Sequence, residues 1–416
     1  MNDVRSPLLL RRGRLPGKPD LYDLLLEGTR IVQVSVTGAA SEFSDPYPAG
    51  PQIDLDGRVV VPGLINAHCH LDKSLWTAPW QPHTPSRSLA EMITSERQQR
   101  ASTGVPSADR IEALLRRMSA TGTTHVRTHS DVDPSIGVRG VTAVAEAAAR
   151  VSRLISVEQV AFPQSGLLAD TRTRELMAEA LRLGATTVGG LDPAGLDDDP
   201  VSHLDIVFGL AERFEARVDI HLHDGGSLGL WQCGLIADRT AALGMHGRVA
   251  ISHAFALGQG SPADRAPVLE RMAESGVAVH TCANFNDPVP LLPELDAAGI
   301  TCALGTDGIR DRWNPYGNGD MLEQAKIFAQ RSSLRTDDQI VASLRTATWS
   351  AARSLHLPAY GLAPGDAADL VVLDASSEAQ AVVEHRPRFL VLKDGIPVAG
   401  SGAPSGTVPA LVTRSP

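Results

Sequence analysis

The feature that most constrains this chain is a repeated unit. A short β-branched, apolar run is followed by a polar or titratable residue and then by a longer stretch. Eight runs carry the first part: Val59–Val61 with Leu64–Ile65, Thr124–Thr128, Leu154–Ala161, Thr186–Gly189, Arg217–Ile220, Arg248–Ile251, Val277–Val279 and Ile300–Leu304. Between them, Arg110–Met118, Arg174–Leu183, Leu204–Phe214 and Arg265–Glu274 space their apolar residues as helices do. Eight strand-then-helix units over roughly 290 residues predict an α/β chain folded as a (β/α)8 TIM barrel.

The residues at the ends of these runs sharpen the expectation. His68 and His70 come after the first, and Arg127 and His129 close the second. Gln164 comes after the third, Asp192 after the fourth, and His221, His223 and Asp224 after the fifth. His253 comes after the sixth and Asp307 after the eighth. The C-terminal strand ends of such a barrel converge on one face. Strand residues two apart point to the same side, so His68 and His70 can reach one ion at about 2.0–2.1 Å. A lone pair of that spacing is as readily two core histidines. Here the spacing recurs at His221 and His223, and Asp307 adds a carboxylate, which together suit a hydrolytic metal centre. Cys69 faces away from the pair and reads as packing. His125 and His129 could be further ligands, but they read rather as core or supporting residues.

The chain ends differ from the middle. Tyr22–Leu26 and Arg30–Val34 flank a turn at Glu27-Gly28-Thr29. Ser41–Pro51 reads as a loop. Ala368–Asp374 and Phe389–Leu392 read as strands, with a turn at Lys393-Asp394-Gly395. The expected division is a small β domain from residues 1–60 and 359–416 around a barrel at 61–358.

Composition narrows the partners. Lys and Arg number 38 against 48 Asp and Glu, and no basic block stands out. A nucleic-acid surface is not expected, and a small-molecule substrate is. The four cysteines have no short spacing, which argues against a disulfide framework and for a reduced, cytoplasmic setting. No 18-residue apolar stretch occurs, so no membrane span is expected. Self-association is the usual expectation for such an enzyme. Gly225-Gly226-Ser227-Leu228-Gly229 matches the short G-x-S-x-G pattern of serine hydrolases, but that reading leaves the neighbouring histidines idle. The H-x-E…P-C-x-x-C signature of zinc deaminases is absent.

The motifs resemble the amidohydrolase superfamily and, within it, the cytosine deaminase-like group. The likeness runs through Val61–Lys73, Val126–His129, Ala161–Gly166, Asp219–Asp224, Ser252–Leu257 and Gly305–Gly317. It implies a distorted barrel with a small β-sandwich built from both termini. It also implies one divalent ion, Zn2+ or Fe2+, on His68, His70, His221 and Asp307. Asp307 would take a proton from water, and His253 would orient that water. Asp224 stands where the group carries a Glu that protonates the ring nitrogen. Gln164 and Trp313 match substrate contacts, and Lys73 is a structural or substrate-anchoring cation. Gly308 stands where cytosine-specific members carry a second Asp, so a substrate hydrogen bond is lost and space is gained there.

The expected activity is hydrolytic deamination of an amino-substituted, cytosine-, pterin- or triazine-like heterocycle, releasing ammonia or an amine. Two alternatives share much of the constellation. One is an amidohydrolase cleaving a cyclic or linear amide C–N bond. The other is a metal-binding barrel without catalysis.

Overall fold

The computed structural model describes residues 6–38, 50–83, 88–283 and 287–403. The expected loop at 41–51 lies outside them except for Gly50 and Pro51, and so does the tail beyond 403.

Eight parallel strands form a nearly closed barrel in chain order. They are Leu64–Cys69, Thr123–Asp131, Ser156–Phe162, Thr187–Leu191, Arg217–His221, Val249–Ser252, Ala278–Thr281 and Cys302–Leu304. The strands are short and buried on both faces, and Val188, Ile220, Ile251 and Val279 have no exposed surface. Continuous β-branched runs serve such doubly covered strands. Surrounding helices obey their sequence signals. Ala108–Ala120 is capped by the Ser107 side chain and buries Ile111, Leu114, Leu115 and Met118 at helical spacing. Pro262–Ser275 starts with a Ser261/Asp264 capping box and stops at left-handed Gly276.

The first and eighth strands meet at a narrow seam, where the Asp307 N–H donates to the His68 carbonyl at 3.0 Å. The Asn66 amide reinforces the seam by donating to Thr306 Oγ1 at 2.8 Å. A Cβ on Gly305 would lie 2.4 Å from the His68 oxygen, so this close approach requires glycine. The seam therefore sets Asp307 directly beside the first-strand histidines.

Both termini build one mixed eight-stranded sheet. Its two halves share an apolar cluster that includes Leu10, Leu24, Ile31, Val60, Leu370 and Leu392. The two expected turns connect its hairpins. Asp394 and Gly395 both have positive φ, as a tight two-residue hairpin requires. One expectation needs correction. Val59–Pro62 pairs antiparallel with Leu370–Leu373 in the terminal sheet, and the barrel strand starts only at Leu64. The switch falls at Gly63, where a Cβ would strike Thr124 Oγ1 at 2.2 Å. A continuous apolar run serves either sheet equally, so composition does not mark the boundary.

Candidate active site

The strand ends bring six buried or half-buried groups together. Potential ligand atoms of His68, His70, His129 and His221 lie within 4.8 Å of one another, and so do those of His68, His253 and Asp307. Asp307 Oδ1 stands 3.3 Å from His70 Nε2 and 3.6 Å from His68 Nε2. His70 Nε2 and His221 Nε2 face each other at 3.3 Å. His129 thus joins the cluster, the less favoured of its two sequence readings, with its ring centroid 4.2 Å from that of His68. Its place at the end of the second strand was the available signal.

The backbone is bent to aim these groups. His253, Asp307 and Asp192 all have positive φ. Left-handed non-glycine residues cost about 1–3 kcal/mol each and gather at functional sites. Here they fold the chain back over the barrel end as it leaves the fourth, sixth and eighth strands.

Burial fixes the protonation states. It drives His70, His221 and His253 well below the usual imidazole range, and Lys73 and the neighbouring imidazoles add to this. His129 falls to about 4, chiefly by burial. Burial would raise Asp307, but the imidazoles of His68 and His70 outweigh it and hold the carboxyl well below its ordinary value. The result is neutral imidazoles beside a carboxylate, each with a lone pair to share.

These residues fit a divalent metal ion. His68 Nε2 is buried with no hydrogen-bond partner among the described residues. Two neutral imidazole nitrogens at 3.3 Å either share one proton or share a cation. The donor set, imidazoles plus one carboxylate oxygen, suits Zn2+ and Fe2+ alike. The structure also orients the His68 ring. Ser252 Oγ donates to Asp219 Oδ1 at 2.6 Å and pairs with His68 Nδ1 at 2.9 Å. The hydroxyl hydrogen is committed to the carboxylate, so His68 carries its proton on Nδ1 and offers Nε2 to the cluster.

A cavity of roughly 390 Å3, open mouth included, rises from this floor. Gln164, Lys73, Trp313 and His223 line it. Lys73 is buried, 3.0 Å from Asp131, and it donates to Gln164 Oε1. The lysine thus holds the glutamine and leaves the amide NH2 as donor. Lys73 Nζ also sits 5.3 Å from the Trp313 ring centroid. Trp313 Nε1 donates to Glu96 Oε2 at 2.5 Å. Glu96 belongs to the helix Leu89–Thr103, whose Arg100 bridges Asp131 and Asp133 at 2.7 and 2.8 Å. This helix was not foreseen, because its buried face is Ile93, Glu96, Arg100 and Thr103 and lacks an apolar stripe.

Known proteins share this fold. Residues 80–399 match the amidohydrolase family. The chain belongs to that family. This amidohydrolase is 30% identical to the N-isopropylammelide isopropyl amidohydrolase of Pseudomonas sp. (strain ADP), covering 93% of this chain and 96% of that protein. The crystal structure of N-isopropylammelide isopropylaminohydrolase from Burkholderia multivorans superposes with a TM-score of 0.89 at 42% identity. That match covers 96% of this chain and 99% of the other. The 5-methylcytosine deaminase of Klebsiella pneumoniae, liganded with 5-fluorocytosine, gives 0.81 at 28% identity, covering 94% and 97%.

Within the amidohydrolase, two expectations about the cavity wall change. Asp224 does not line the cavity. Its Oδ2 accepts from the Gly195 N–H at 3.0 Å and from Gln232 Nε2 at 2.8 Å, so the carboxylate is turned into the neighbouring loop. The adjacent His223 lines the cavity instead. Asp192 accepts from the His223 backbone N–H at 2.6 Å and pairs with Nδ1 at 2.7 Å, leaving Nε2 for the cavity. Asp192 also raises the His223 pKa against the opposing effect of burial. The second change is at Gly308, where no space is gained. A Cβ there would lie 2.2 Å from Asp311 Oδ2, because the Asp311 side chain already fills the gap. Ser227 of the G-x-S-x-G pattern is exposed in the first turn of the helix Gly226–Ala242 and does not line the cavity.

Proposed function

We propose that this protein hydrolytically removes ammonia or an alkylamine from a single six-membered nitrogen heterocycle, using one divalent ion, Zn2+ or Fe2+. The observation that carries this reading is one cavity joining a buried His/Asp cluster at its floor to a planar-ring wall. That wall combines an amide donor, Gln164, a cation, Lys73, and an aromatic face, Trp313. The names of the relatives, which act on an isopropylammelide and a 5-methylcytosine, point the same way. The compact cavity favours one ring over a fused pair.

His68, His70, His221 and Asp307 would hold the ion, with His129 at the same cluster. Its chemistry there is that of a Lewis acid, which makes hydroxide available near neutral pH. Asp307 is ionised and placed to take the proton of the attacking water. His253, neutral and buried beside Asp307, orients that water. Gln164 and Lys73 bind the ring edge, and Trp313 packs against it. His223, backed by Asp192, gives its proton to the ring nitrogen. The amine leaves with the proton that Asp307 took from the water, and the remaining hydroxyl proton returns to His223 as the ring carbonyl forms. His223 takes the role that sequence reasoning gave to Asp224.

The test is turnover by zinc- or iron-loaded protein on a panel of aminopyrimidines, aminotriazines and their N-alkyl derivatives, read as amine release. Turnover of at least one single-ring substrate is expected. Turnover restricted to cyclic amides, with no amine released from any aminoheterocycle, would replace this reading with the amidase one.

A further inference from the structure

Asp311 has a place in the cavity that the proposed chemistry does not use. It lines the cavity and is only 4% exposed. Its two oxygens differ. Oδ1 accepts the backbone N–H groups of Trp313 at 2.8 Å and Asn314 at 2.7 Å, which holds the turn after the eighth strand. Oδ2 is buried and has no hydrogen-bond partner among the described residues. A turn residue needs only the first of these oxygens. The second is a desolvated polar atom beside the ring-binding wall, and such an atom is expensive to leave unmade.

The chemistry of that atom is set by its partners. Both N–H bonds occupy Oδ1, so a proton on this carboxyl sits on Oδ2, where it becomes a donor. Burial favours that neutral form and pushes the carboxyl up to about 7, against the pull of Lys73. Gly308 makes the arrangement possible. Any side chain there would collide with the Asp311 carboxyl, with a Cβ 2.2 Å from Oδ2 and 2.9 Å from Cγ.

We propose that Asp311 is a specificity-determining residue, whose Oδ2–H donates a hydrogen bond to an oxo substituent on the heterocycle. This rests on the single-ring reading above and deepens it. The substrate class becomes an oxo-bearing aminopyrimidine or aminotriazine. The ring carbonyl meets Asp311, and Gln164 and Lys73 hold another part of the edge. Gly308 is the permissive half of the same device.

Uracil is a suitable probe, a single oxo ring without an amine to lose. Its binding to the metal-loaded protein is measured by calorimetry for wild type, Asp311→Ala, Asp311→Asn and Gly308→Ala. Asparagine reproduces the proposed state, an oxygen for the two N–H groups and an NH2 donor in place of Oδ2–H. It should bind uracil within about threefold of wild type. Asp311→Ala and Gly308→Ala should bind about tenfold to a hundredfold more weakly. Gly308 does not have a left-handed φ, so alanine fits its backbone. Metal affinity, which reports the cluster and the fold, should be unchanged in all four. Equal binding by all four proteins would overturn the proposal. So would an asparagine variant as weak as alanine, or a wild type that does not bind uracil. Amine release by the wild type is scored separately. Turnover without the binding pattern sinks only the role of Asp311. The binding pattern without turnover sinks only the hydrolase reading.

Discussion

The floor of the cavity and its wall are built on different principles. The floor is made of strand ends: His68, His70, His129, His221, His253 and Asp307. His68, His70, His129 and His221 are placed by the strand period and by the convergence of barrel strands at one end, while His253 and Asp307 take left-handed backbone just past their strands. The wall is made of loops and an added helix: Gln164, Asp311 and Trp313, with Glu96 behind them. Asp311 is held by its own turn, but Gln164 and Trp313 are placed by partners distant in sequence. Lys73 holds Gln164 across 91 positions, and Glu96 holds Trp313 across 217. A rigid floor can host common chemistry while a wall of this kind sets which ring is accepted.

Substitutions can break or sharpen that division. Asp307→Ala removes the carboxylate proposed both to hold the ion and to accept the water proton. It should abolish tight metal retention, read by metal analysis after dialysis, and lower kcat/KM by roughly a thousandfold or more. Full activity would mean that the floor is not the reacting centre. The next contrast lies between neighbours. His223→Asn should lower kcat by about a hundredfold or more. Asp224→Asn keeps an oxygen for the Gly195 N–H and should stay within about tenfold. The reverse order would return the proton-carrying role to Asp224.

Support beneath the floor should matter less. Ser252→Ala frees the His68 ring from the link to Asp219 and should weaken metal binding by about 10- to 100-fold, with KM nearly unchanged. The last contrast belongs to the wall and concerns stability. Asp311 has a folded-state pKa of about 7 against an ordinary 3.8. The folded protein therefore binds this proton more tightly than the unfolded chain does. Its contribution is fully present below about pH 4 and is lost as pH rises through about 7. Lys73 and Asp307 act on the group from the facing elements, in opposite directions. Relative to Asp311→Asn, the wild type should lose up to about 4 kcal/mol between those limits, at 1.36 kcal/mol per unit. Denaturant unfolding of both proteins at several pH values reads the difference, and parallel curves would show that the carboxyl is not perturbed.

The wall also marks where sequence reading stopped. The spacing of His68 with His70 and of His221 with His223, and the strand before Asp307, pointed to the floor without knowledge of any contact, and the resemblance singled out His221. The family resemblance put Asp224 in the cavity, because it stands where the group carries a Glu. Only the loop at Gly195 and the side chain of Gln232 show that it turns away. It read Gly308 as open space, because the collision with Asp311 depends on how a later turn folds back.

By itself the sequence determined the eight-unit alternation and the terminal strands with their turns, and it pointed to the strand-end residues of the candidate site. These are local or periodic properties, written by side chains two or three to four residues apart. Tertiary structure decided the rest: that Val59–Pro62 leaves the barrel, that His129 joins the cluster, that His223 faces inward, and that Asp311 occupies the place beside Gly308. Each of these depends on which distant backbone or side chain completes a hydrogen bond or fills a space. Such pairings have no period in the sequence, and chain folding alone sets them.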